Sequence, residues 1–249
     1  MIAFSAGVDS TFLLKVAALV LPKKNILAVT ATSATYPKQE LKQAEALAKR
    51  IGVRHKIIKT GELKDKRFTA NPSNRCYFCK KELFSLLLVL AAKEKLSFVL
   101  DASNISDKSD FRPGSIARKE LKIRSPLQVA KLSKEDIRIL SKRLKLPTWD
   151  KPSSACLASR IPYNMEITPE ILKRVELAEN YLKRLSFRQA RLRHYGSLCR
   201  IEVCEKDFPR LLRRRKAIVD RLKELRYNYI TMDLEGYRTG SLNQAIGKR

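Results

Sequence analysis

Apolar positions in the first half of the chain fall into short runs separated by stretches of helical period. Residues 1–4 read as the end of a strand. Residues 11–21 read as a helix that turns Phe12, Leu13, Val16, Ala17 and Val20 inward. A second strand is expected over 25–32, then a turn at Tyr36 and Pro37, then a helix over 38–51 that Gly52 can close as its C-cap. A third strand follows at 53–59, a helix at 80–95 and a fourth strand at 98–102. Strands separated by helices predict an open parallel sheet with right-handed crossovers. Such sheets bind ligands at the carboxyl ends of their strands.

The second half has a different rhythm. Ser133 can cap a helix over 133–144, with Asp136 at the capping-box position. A loop rich in Pro and Ser occupies 146–163. Residues 168–185 form an amphipathic pattern that opens with Pro169 at the first helical position. The alternating stretches 189–195 and 198–203 can pair across Gly196-Ser197, and a helix over 209–225 and a strand over 229–234 follow. The expected fold is therefore α/β: a sheet domain over 1–147 and a smaller α+β C-terminal domain over 148–249.

With 249 residues, 44% of them hydrophobic and 31% charged, the chain can bury a core and is too apolar to be disordered. No run approaches the roughly 18–20 apolar residues that span a bilayer, and Ser5 and Asp9 interrupt the apolar start of any leader. Five cysteines, an odd number in a chain this long, do not suggest a disulfide framework, so a cytoplasmic protein with free or metal-bound thiols is expected. The net charge of +27 is spread: 30 basic against 14 acidic residues over 1–150, and 22 against 11 over 151–249. Such a field attracts polyanions, but the aromatic stripe of a single-strand RNA platform is absent. The run at 210–216 (RLLRRRK) reads as a solvated helix face.

Candidate chemistry begins at residues 5–11 (SAGVDST), between the first strand and the first helix. Small residues let the backbone close around an anion, helix N–H groups point at it, and the hydroxyls of Ser5, Ser10 and Thr11 add donors. The string is not the Walker GxxxxGKS/T. Cys76 and Cys79 form a CxxC, and Cys156 lies far downstream. Neither His55 nor His194 has zinc spacing. Three thiols suit a 4Fe-4S cluster with one open iron, or else a redox CxxC with a separate cysteine. Cys199 and Cys204 read as core or surface thiols. Arg160, Arg191 and Arg193 carry forks that suit phosphate or carboxylate, and Ser159 adds a hydroxyl. Asp9, Asp110 and Glu202 are candidate magnesium carboxylates, of which Asp9 is assigned.

The loop resembles the PP-loop, SGGxDS, of the ATP pyrophosphatases. Ala6 stands where the second glycine is usual, at little cost unless that position needs a positive φ. The first strand is also shorter than is usual in those enzymes. Further strings occur in order: 71–84 (NPSNRCYFCKKELF), 101–104 (DASN), 107–114 (DKSDFRPG), 124–127 (RSPL), 146–163 (LPTWDKPSSACLASRIPY), 191–194 (RLRH) and 233–241 (DLEGYRTGS). Together they resemble the LarE family of ATP-dependent sulfur transferases along nearly the whole chain.

The resemblance implies ATP and Mg²⁺ at Ser5, Ala6, Gly7, Val8, Asp9 and Ser10, with Asp9 and Cys156 catalytic. It implies a 4Fe-4S cluster on Cys76, Cys79 and Cys156, since the three-cysteine branch of the family is similar in carrying one. It implies a small nucleotide bearing a phosphate and two carboxylates, pyridinium-3,5-biscarboxylic acid mononucleotide, held by Ser159, Arg160, Arg191 and Arg193. Each carboxylate would be adenylated and then converted to a thiocarboxylate. A homo-oligomer is expected, with neither membrane nor nucleic acid as partner. The competing reading is a tRNA thiolation enzyme, which shares the PP-loop and finds support in the charge. A non-catalytic nucleotide-binding module is a third.

Overall fold

The computed structural model describes residues 1–109, 112–152 and 155–247. The chain forms two compact units. One comprises Met1–Phe68 and Asn74–Ser154, the other Thr69–Ser73 and Ala155–Arg249.

The first unit is built on a parallel sheet of β1 (Ile2–Ala3), β2 (Leu27–Thr32) and β3 (Arg54–Lys59), in that order. Successive residues of β2 enter opposite cores, which is why the strand is apolar almost throughout. Ile2, Phe4 and Ala28 face a core shared with α1 (Val8–Val20), α2 (Lys38–Ile51) and, beyond them, Ile137. Met1, Leu27 and Val29 face the other core, filled by Phe84, Leu87 and Ala91 of α3 (Arg75–Lys93). β3 closes one side, and its exposed Arg54, Lys56 and Lys59 discourage pairing with another strand. Gly52 ends α2 at φ 77°, as the pattern predicted.

Three elements differ from expectation. The strand expected at 98–102 is reduced to isolated parallel bridges from Leu100 to Ile2 and Arg124. The helix expected from residue 80 begins at Arg75, so the CxxC lies in a helical turn rather than in a loop. Pro72 is the last breaker before Pro113, and nothing between Arg75 and Lys80 opposes a helix. The expected helix over 209–225 is interrupted at Arg214, giving Phe208–Arg213 and Arg215–Glu224. Like charges three and four apart, Arg210 with Arg213 and Arg214, oppose its continuity.

After α4 (Gly114–Glu120), the unit ends with α5 (Lys134–Arg143), capped by Ser133 and Asp136 in a full capping box.

The second unit is α+β. β4 (Ala190–Tyr195) and β5 (Leu198–Val203) form a hairpin across Gly196-Ser197, and β6 (Tyr229–Met232) adds parallel to β5. Helix α6 (Pro169–Arg184), capped by Thr168, buries Leu172, Val175, Ala178 and Leu182. Asn71 is fully buried at φ 58°, a conformation asparagine tolerates. Its amide donates to the carbonyls of Pro162 (2.7 Å) and Met165 (2.9 Å), and its own carbonyl accepts from Asn164 N–H. That staple joins the NPSN string to the loop after CLASR. Among the described residues no helix is long and apolar enough to cross a membrane.

Candidate functional site

The sheet delivers the Ser5–Ser10 loop at the carboxyl end of β1. Phe4 N–H donates to Val29 C=O, and the chain then turns through Ser5, Ala6 and Gly7 into α1. Gly7 is the N-cap in an extended conformation, and no side chain caps the helix. The first-turn N–H groups are therefore left for an anion. The hydroxyls of Ser5 and Ser10 lie 3.1 Å apart, and Ser5 N–H donates to Ser10 Oγ (3.3 Å). A Cβ on Gly7 would sit 3.4 Å from Ser5 Oγ, so the turn has little room for a side chain. Tyr36 donates to Ser5 C=O from the loop after β2 (3.0 Å), a loop itself tied by Ser33 and Thr35 to buried Glu62.

Ala6 has φ 55° and is fully buried. The condition under which alanine is costly here is thus met: a left-handed L-residue is strained by about 1–2 kcal/mol. Lys151, from the TWDKP string, offsets this. Its ammonium donates to Ala6 C=O (2.9 Å), to Glu40 (2.5 Å) and to Gln43 (2.6 Å) of α2. Asp9, in the first turn of α1, accepts from Lys134 Nζ (2.5 Å) and Asn104 Nδ2 (3.2 Å).

The cysteines divide between the units. Cys76 and Cys79 stand one turn apart on α3, exposed and half-buried respectively. Cys156 is exposed in the second unit, at the N-cap of the short helical turn Leu157–Arg160. Within either unit, among the described residues, no three His, Cys, Asp or Glu side chains are grouped to hold a metal. Cys199 is fully buried, and burial pushes its thiol up to about 12, so it is inert core. Cys204 is half-buried just beyond β5.

Around Cys156 the second unit gathers Ser159, Arg160, Arg191 and Arg193. Arg160, 2% exposed, spends its fork on Glu179 of α6 (2.8 and 2.9 Å). Its remaining nitrogen donates to the carbonyls of Ala155 and Cys156 and to Ser159 Oγ. Arg193 spends its fork on Glu202 (2.8 Å twice) and also donates to Ser159 C=O and Ser241 Oγ. The sequence expectation treated these forks as available to a ligand. Those of Arg160 and Arg193 are instead paired with buried carboxylates, because a buried charge requires a partner. Arg191 is used differently: it donates to Ala190 C=O and lies over the Tyr237 ring. Burial and the like charge of Arg160 both push its pKa down.

No family model matches the chain. A curated relative in Lactiplantibacillus plantarum, pyridinium-3,5-bisthiocarboxylic acid mononucleotide synthase, is 35% identical over 247 residues, covering 99% of this chain and 90% of its own. The chain belongs to the LarE family of ATP-dependent enzymes. An uncharacterized Synechocystis protein is 43% identical over 250 aligned positions, covering all of this chain and 93% of its own. Among solved structures, the NH3-dependent NAD synthetase of Campylobacter jejuni is similar at 18% identity and a TM-score of 0.46, over 90% of this chain and 83% of that one.

In this LarE-family protein the candidate magnesium carboxylates separate. Asp9 is accessible at the loop. Glu202 is fully buried, with both oxygens taken by Arg193 and one also by Arg200, so it is not a magnesium ligand. Asp110 lies outside the described residues. Sequence reasoning missed Lys134, Lys151, Asn104 and Glu179. A lysine or glutamate among 77 charged residues carries no local signal, although Lys151 and Asn104 both lie inside quoted strings.

Ala46→Gly, exposed in the interior of α2, should cost about 1 kcal/mol in urea unfolding. Ala6→Gly should instead be neutral or stabilising by about 0.5 kcal/mol, since relief of the left-handed strain outweighs the added freedom of the unfolded chain. Acid should act through Glu179. Burial by itself raises its pKa, but Arg160 more than reverses this and holds the carboxyl below its ordinary 4.5. Its contribution to stability is therefore complete above that value and lost as pH falls through the depressed one. Glu179→Gln strands Arg160 and should cost about 3–5 kcal/mol at pH 7. Its unfolding midpoint should fall less than the native protein's when both are acidified.

Proposed function

We propose that this protein is an ATP-dependent sulfur transferase that makes the bisthiocarboxylate of a pyridinium mononucleotide, the product for which its L. plantarum relative is named. The observation that carries the ATP half is the uncapped N-terminus of α1, placed by the sheet behind two facing hydroxyls and an accessible Asp9. The first-turn N–H groups and the hydroxyls of Ser5 and Ser10 would cradle the phosphates, and Asp9 would take Mg²⁺ through water or directly. Such a metal, when bound, would supply neutralisation of charge on the leaving pyrophosphate.

A substrate carboxylate attacks the α-phosphorus, the bond to the β-phosphate oxygen breaks, and pyrophosphate leaves an acyl adenylate. A sulfur nucleophile then forms a bond to the acyl carbon, the acyl–oxygen bond breaks, and AMP departs, giving the thiocarboxylate. The chain's part in both steps is to position the reactants and to stabilise charge. In the second unit, Arg160 and Ser159 hold the Cys156 turn by its carbonyl. Arg191 would offer a guanidinium to the substrate's phosphate or a carboxylate.

Three thiols are a fitting donor set for an iron-sulfur cluster: Cys76 and Cys79 share one helix face and Cys156 is exposed. Cys76, Cys79 and Cys156 would hold a 4Fe-4S cluster, which when bound supplies an iron with an open position for sulfide. A small-molecule substrate, a cytoplasmic setting and a homo-oligomer complete the reading.

The test is AMP release from ATP·Mg²⁺ in the presence of the biscarboxylate mononucleotide. Native protein should release AMP, whereas Asp9→Ala should release none while keeping its fold by circular dichroism. Anaerobically purified protein should hold about four irons per chain. Replacing Cys76, Cys79 or Cys156 by Ala should each remove them, and replacing Cys199 should not. Colourless protein with one zinc would overturn the cluster. Affinity for tRNA that falls steeply with salt, together with no AMP release on the mononucleotide, would move the protein to the tRNA-thiolating class.

A further inference from the structure

Lys134 is the first residue of α5, and its backbone is held from two sides. Ser133 and Asp136 cap the helix reciprocally, and Lys134 N–H donates to Ser106 Oγ (3.1 Å). From this anchor the ammonium reaches Asp9 Oδ2 at 2.5 Å, while Asn104 Nδ2 donates to Asp9 Oδ1. The pair is partly exposed, with 30% and 23% of the two side chains accessible. Such a pair contributes little to holding a fold together. Beside it, Asn104 is 98% buried, since only 2% of it is accessible, and its Oδ1 accepts no hydrogen bond. A buried acceptor without a partner, next to a carboxylate whose two oxygens face only donors, suits the arrival of a cation or its hydration water.

We propose that Lys134 is the exchange partner of Asp9. In the nucleotide-free protein it neutralises the carboxylate. When the nucleotide's Mg²⁺ takes Asp9, Lys134 turns its ammonium onto the phosphates gathered at the N-terminus of α1. Asp9 lies in that helix's first turn, so the phosphates come within the swing of the lysine side chain. The inference rests on the ATP reading of the Ser5–Ser10 loop. It makes Lys134 a phosphate-binding and positioning residue, and it makes metal and lysine competitors for one carboxylate.

Lys134→Met and Lys134→Arg separate this role from a structural one, with ATP titrated by calorimetry and Mn²⁺ titrated alone by electron paramagnetic resonance. Lys134→Met should melt within a few degrees of the native protein and bind ATP·Mg²⁺ about ten-fold or more weakly, the loss of one charge-assisted hydrogen bond. Without nucleotide it should bind Mn²⁺ several-fold more tightly, because the competing ammonium is gone. Lys134→Arg should restore most of the ATP affinity. Equal ATP affinity in native and Met proteins, or unchanged Mn²⁺ binding, would overturn the role of Lys134 and leave the ATP reading standing. Native protein that binds no ATP·Mg²⁺ at all would overturn both.

Discussion

The turn from β1 into α1 requires a left-handed backbone at Ala6, and everything the Ser5–Ser10 loop can do depends on that turn being held. β1 is only two residues long, so the strand cannot hold the loop by itself. Parallel pairing fixes where the strand ends, through Ala3 N–H on Leu100 C=O and Phe4 N–H on Val29 C=O. Lys151 fixes the turn itself, by binding the carbonyl of the strained residue and two side chains of α2 with one ammonium. A glycine would meet the backbone requirement without help. With alanine there, the lysine is the compensation. Held this way, α1 presents its uncapped N–H groups, Ser10 and Asp9 together.

The second unit meets a different constraint: how to bury cations. Arg160 and Arg193 would be prohibitively costly in an apolar interior unless paired and hydrogen-bonded. Glu179 from α6 and Glu202 from β5 supply the pairing in fork-to-carboxylate geometry. Glu179 also accepts from Leu192 N–H, so it ties the helix to β4 as well as to the arginine. The leftover hydrogen-bonding capacity of Arg160 goes to the carbonyl of Cys156. The ionic network is therefore the frame of the cysteine turn. In such a network a single arginine substitution strands a buried carboxylate and costs stability.

Much of this was legible along the chain. The apolar runs placed β2 and β3 and the helices over 38–51, 134–143 and 169–184 closely, because their caps are local: Gly52, the Ser133–Asp136 box, and Thr168 before Pro169. The hairpin at Gly196-Ser197 was readable for the same reason. The strand at 98–102 was not, because whether a short apolar run becomes a strand depends on its neighbours. Here only Leu100 is bridged. The helix was expected only from residue 80, whereas the absence of any breaker after Pro72 carries it through the CxxC.

By itself the sequence determined the order of elements, the loop that can take an anion, the three cysteines and the family strings, since each is written in residues close together in the chain. Only the tertiary structure decided how the charges are used. It made the forks of Arg160 and Arg193 internal, removed Glu202 from the metal candidates, showed that Ala6 needs a positive φ, and brought Lys134 to Asp9 and Lys151 to Ala6 across 125 and 145 residues of chain. The physical reason is that a charged side chain has no local periodicity. What it does depends on burial and on which opposite charge the fold brings within about 3 Å, and both are properties of the folded chain rather than of its sequence.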